Sequence, residues 1–80
     1  MEKKIVKVGM WVLYHGSFGY GKPEIVKILE MEYCPDGDKY GEMIEEIPED
    51  ELHLCTLILS NKHWAYGNQV EKVFGFDRPM

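Results

Sequence analysis

The run His53-Leu54-Cys55-Thr56-Leu57-Ile58-Leu59-Ser60 contains no glycine or proline and reads as the clearest strand of the chain. Asn61-Lys62 then supplies a two-residue turn into His63-Trp64-Ala65-Tyr66. The hairpin expected from this spacing pairs Leu59 with Trp64 and Leu57 with Tyr66 on one face, and Ile58 with Ala65 on the other. Gly67-Asn68-Gln69 breaks the second arm, and Val70 to Val73 supplies a short closing strand. Phe74 to Met80 reads as a loosely attached tail.

Upstream of the hairpin the same period of two recurs. From Ile5 to Tyr14, Val8, Met10, Val12 and Tyr14 fall on one face of a first strand and Trp11 and Leu13 on the other. His15 to Pro23 concentrates three glycines and a proline into nine residues and reads as a loop, with Phe18 and Tyr20 as unusual loop content. Glu24 to Tyr33 is a second strand whose apolar residues change face, which requires a switch or bulge near Lys27. Cys34-Pro35-Asp36-Gly37-Asp38 is a turn into a third strand from Tyr40 to Ile47, although Glu42 to Ile47 could equally begin a helix that Pro48 would end. Pro48 to Leu52 suits a connector or a single helical turn, with proline at its first position and acids at the positive end of its peptide dipoles.

Composition narrows the class. Eighty residues make one small domain, which buries roughly 60% of the surface that its unfolded chain exposes. With 45% hydrophobic and 29% charged residues it belongs among ordinary globular proteins. No run approaches the ~18 apolar residues of a spanning helix, and Met1-Glu2-Lys3-Lys4 leads into strand-like alternation in place of a secretory segment, so the expected location is cytoplasmic. Cys34 and Cys55 form no CxxC pair, and reduced thiols are the simplest reading. The net charge of −5 is unevenly distributed: eleven acids lie between Glu24 and Glu51 against Lys27 and Lys39, while the flanks are mildly basic.

An all-β chain with one Gly-rich loop, two hairpins and a short turn before its last strand resembles the five-stranded SH3-like small barrel. Val8-Gly9-Met10-Trp11-Val12-Leu13-Tyr14 is similar to the opening strand of Tudor-type and KOW-type members, and Leu57 to Val73 to their closing hairpin and terminal strand. The resemblance implies a barrel over residues 1–73, with 74–80 as its tail. The superfold hosts many functions, so the resemblance leaves the activity open.

The candidate sites follow from residue type. In the first and in the hairpin strands both faces carry large apolar residues, whereas a barrel has one interior. One of the sets Trp11, Leu13, Leu57, Leu59, Trp64, Tyr66 and Val8, Val12, Tyr14, Ile58, Ala65 must therefore lie outside. An outer aromatic patch marks a partner surface, unless Phe74 and Phe76 fold back over it. An aromatic cage for a methylated cation is the reading that the Tudor resemblance would add. For metal, His15, His53, His63, Cys34 and Cys55 are of ligand type, but His63 falls about five residues, at ~3.3 Å each, from the His53-Cys55 pair. The Glu42 to Glu51 acids read as a solvated face, and no Ser-His-Asp, Cys-His or phosphate-loop pattern is present.

The expectation is a noncatalytic binding module that mediates protein-protein interaction or self-association through Trp11, Phe18, Tyr20, Trp64 and Tyr66, with no metal and no cofactor. The alternatives are a nucleic-acid-associated barrel using Lys3, Lys4, Lys7, Lys62, Lys72 and Arg78, and a small acidic inhibitor of a nucleic-acid-processing enzyme of the kind that phages encode.

Overall fold

The computed structural model describes residues 4–16, 22–35 and 41–79. The described chain is mostly β. Its strands are β1 (Ile5–Lys7), β2 (Trp11–Tyr14), β3 (Glu24–Tyr33), β4 (Glu42–Ile44), β5 (Glu46–Pro48), β6 (Cys55–Leu59), β7 (Trp64–Tyr66) and β8 (Val70–Gly75). Two short 3-10 helices, Glu49–Leu54 and Gly67–Gln69, lead into β6 and β8.

Among the described residues eight strands stand where six strand segments were read for a five-stranded barrel, because two long runs are broken. The run from Ile5 to Tyr14 turns at Gly9, whose φ of +99° is open to glycine at little cost, and the turn is closed by Met10 N–H donating to the Lys7 carbonyl at 3.1 Å. The run from Tyr40 to Ile47 divides at Glu45 into β4 and β5. This lets β5 leave the main sheet and pair with β1, placing Val6 opposite Ile47 with both side chains buried. The helical alternative for Glu42 to Ile47 is not adopted.

The main sheet runs β7-β6-β3-β2-β8, and β4 also pairs with β3. Among the described residues no ladder joins β7 to β8, so the sheet is not closed into a barrel. The long β3 organises it. Its first half pairs with β2, while Met31, Glu32 and Tyr33 are flanked by β4 on one side and β6 on the other.

The face change in β3 is a bulge at Leu29, two residues beyond Lys27: Ile28 pairs with Leu59 and Glu30 with Ile58, leaving Leu29 as the extra residue. Val26 and Ile28 enter the core, and the extra residue brings Met31 there in place of Glu30. Without it, period-two alternation would aim a carboxylate into the interior.

The hairpin register differs from the expected one by a single residue. Leu57 faces Ala65, Ile58 faces Trp64 and Thr56 faces Tyr66. The loop holds three residues, Ser60 to Lys62, because Lys62 takes a φ of +71° and Leu59 N–H donates to the His63 carbonyl at 2.9 Å. A one-residue slip exchanges the faces of a strand. Leu57, Leu59 and Ala65 are therefore buried together with Val12 and Tyr14, while Trp64, Tyr66 and Ile58 share the outside. The two apolar sets expected from sequence are mixed.

The 3-10 helix Glu49–Leu54 begins after Pro48 with Glu49, Asp50 and Glu51 in its first turn, where the dipoles favour acids, and it buries Leu52. It also takes in His53 and Leu54, so β6 starts at Cys55. At the other end β8 runs on through Phe74 and Gly75, two residues past the expected limit. Among the described residues no helix is long and apolar enough to cross a membrane.

Candidate functional site

Alternation along β3, β6 and β7 tiles the outer face of the sheet in two cross-strand rows. Glu30, Ile58 and Trp64 form one row, and Glu32, Thr56 and Tyr66 the next. Met43 of β4 extends the second row beyond Glu32. The face therefore has an aromatic rim on β7, a floor of Ile58 and Thr56, and a carboxylate rim on β3.

Trp64 is 57% exposed and Tyr66 53%. Their rings meet edge to face, with centroids 5.2 Å apart and an interplanar angle of 86°, the arrangement that ring quadrupoles favour. The local chain holds this geometry in place. Tyr66 N–H donates to Gln69 Oε1 at 2.9 Å, and Gly67 sits against the Leu52 carbonyl so closely that a side chain there would collide with it.

Beside the pair opens a cleft of about 450 Å³, lined by Glu32, Cys34, His53, Leu54, Cys55, Thr56, Trp64 and Tyr66. Within it the Cys34 thiol donates to Glu32 Oε1 at 3.2 Å, which orients the carboxylate. Gly41 lies against both side chains, and a Cβ there would overlap them. The Cys55 thiol is pushed up to about 11, first by burial and then by the neighbouring Cys34 and Glu51, so it stays protonated at neutral pH. Cys34, Cys55 and His53 thus share a cleft, but among the described residues no group of three or more His, Cys, Asp or Glu is placed to hold a metal ion.

Of the aromatic residues singled out in the sequence, the structure brings Trp64 and Tyr66 together. Trp11 is on β2, separated from β7 by β6 and β3, and it is half-buried because the chain after β8 returns over it: the Arg78 guanidinium lies 5.4 Å from its ring centroid. Phe76 lies beside Gly9 on the same return path. Phe18 and Tyr20 lie outside the described residues. Ile58, Thr56, Glu30 and Glu32 escaped the sequence reading, since the register expected for the hairpin put Ile58 on the face opposite Trp64. No signal in the sequence marks them, because the left-handed φ at Lys62 that sets the register is visible only in the folded backbone.

No protein-family model, curated protein or solved structure matches the chain.

Proposed function

We propose that this chain is a noncatalytic interaction module that binds a protein partner through the Trp64–Tyr66 face. The observation that carries the reading is the pairing of two large aromatic side chains, each more than half exposed, at the lip of an open cleft. Tryptophan and tyrosine are the residues that most often anchor interfaces, because they bury much apolar area with few rotatable bonds and keep a polar atom for the rim. Ile58 adds aliphatic surface between them and the carboxylates. As to fold, the sharing of β3 between a β2–β8 ladder and a β6–β7 ladder, with the short helix Gly67–Gln69 ahead of the last strand, supports an SH3-like small β domain.

The test compares the wild type with a Trp64→Ala/Tyr66→Ala double variant, both checked for folding by circular dichroism. The wild type should retain a specific protein partner, or self-associate in sedimentation equilibrium, and the double variant should do neither. Identical behaviour of the two proteins would overturn the reading.

A further inference from the structure

We infer that the partner presents a basic segment, with an arginine or lysine side chain lying across the trough between Trp64–Tyr66 and Glu30–Glu32. The inference rests on the reading of this face as an interface and names the chemistry that the face selects.

The geometry of the trough matches a long cationic side chain. The two rims are two strand spacings apart, about 9.5 Å, and side chains rising from them narrow the gap. The floor of Ile58 and Thr56 suits the aliphatic stem of arginine or lysine, which buries its methylenes while keeping its charge at the polar edge. Aromatic rings such as Trp64 and Tyr66 attract a cation through the negative potential at their faces, and Glu32 has a second carboxylate oxygen beside the one that Cys34 engages.

Charge complementarity points the same way. The described lining of the cleft contains no lysine or arginine, whereas Glu32 lines it and Glu30 stands in the adjoining row. Glu49, Asp50 and Glu51 follow in the 3-10 helix that leads to His53 and Leu54 of the same lining. The chain as a whole carries −5. An acidic or phosphate-bearing partner would meet like charge here, which costs affinity and slows encounter.

The molecule contains an internal precedent on the same sheet. Trp11, like Trp64, alternates with buried neighbours, and the chain's own Arg78 guanidinium lies over its ring at 5.4 Å. Among the described residues no cation lies over Trp64. One tryptophan is supplied with a guanidinium in cis; the other offers its ring to a partner.

The probe is a capped twelve-residue Gly/Ser peptide carrying three arginines at alternate positions, titrated calorimetrically at low salt beside otherwise identical peptides carrying glutamine or glutamate. The arginine peptide should bind the wild type, weaken as salt rises, and lose at least tenfold in affinity with Trp64→Ala, Glu32→Gln or Glu30→Gln. Glu46→Gln on β5 removes the same charge away from the trough and should change affinity less than twofold. Equal losses with Glu32→Gln and Glu46→Gln would mean diffuse attraction by net charge, and the inference would fall. If the glutamine peptide bound as well as the arginine peptide and Trp64→Ala abolished both, the interface would stand and its basic selectivity would be refuted. Absence of binding by the arginine peptide at millimolar concentration would also refute it, while the partner and self-association assay would still judge the face itself.

Discussion

Asn61 donates from Nδ2 to the Tyr14 hydroxyl at 2.8 Å, and through the same nitrogen to Glu24 Oε2 at 3.0 Å, while its Oδ1 accepts from the His63 N–H at 3.0 Å. The tip of the β6–β7 hairpin is thereby tied to β2 and to the start of β3, and the left-handed Lys62 that sets the register is held between anchored neighbours. Tyr14→Phe should cost about 1 kcal/mol and Asn61→Ala about 1–2 kcal/mol, because a lost intramolecular bond of this kind leaves a partly buried partner unsatisfied. Urea titrations should show lower midpoints at unchanged slope; an unchanged midpoint for Tyr14→Phe would deny this bond any part in stability.

The bulge at Leu29 has a paired test. Met31 is fully buried, whereas Leu29 is 47% exposed, although both are apolar residues of one strand. Met31→Ala should destabilise by about 2–5 kcal/mol and Leu29→Ala by about 0.5 kcal/mol or less. The reverse order in thermal or denaturant unfolding would show that β3 keeps a regular alternation past Ile28.

Gly67 is required by contact, since a Cβ there would run into the Leu52 carbonyl that the 3-10 helix presents. Gly67→Ala must push that helix away from β7, with an expected loss of about 1–3 kcal/mol by the reckoning for overpacked sites. The exposed neighbour Asn68 should tolerate alanine within about 0.5 kcal/mol. Differential scanning calorimetry of the two variants decides the matter, and equal melting temperatures would count against the close approach.

Cys55 predicts a pH dependence with a definite sign. Burial, Cys34 and Glu51 raise its thiol from 9.0 to about 11, so the folded state holds a proton that the unfolded state releases between those values. The stability linked to this group is therefore fully present below about pH 9 and is lost as pH rises through 11. The comparison is with Cys55→Ala, which lacks the thiol and keeps every other ionisable group. Stability of the wild type should fall more steeply from pH 8.5 to 10.5 than that of the variant, and parallel curves would show that the thiol is not held in its neutral form.

Much of the fold was legible because β-structure announces itself locally. Glu24 to Tyr33 is rich in apolar and β-branched residues, contains no glycine or proline, and is one strand from end to end, with its change of face at Leu29. The connector after Pro48 was readable in part, since a proline followed by three acids suits a turn or a single helical turn, and the structure places a 3-10 helix there with Pro48 as its N-cap. The candidate site was half legible: Trp64 and Tyr66 stood out by type, but their neighbours depend on which residues of β6 and β3 face them.

What the sequence determined by itself is that this chain is built of β-strands and that it carries more large apolar residues than one interior can hold. What only the tertiary structure decided is which of those residues lie outside. That choice rests on one extra residue at Leu29 and one left-handed residue at Lys62, each of which shifts a ladder by a single step. A single step is too small to read from composition or spacing, yet with side chains alternating at a period of two it exchanges the two faces of a strand. Packing of Ala65 against Leu57, in place of Tyr66, settles the register, and the same step that fills the core puts Trp64 and Tyr66 on the surface beside Glu30 and Glu32.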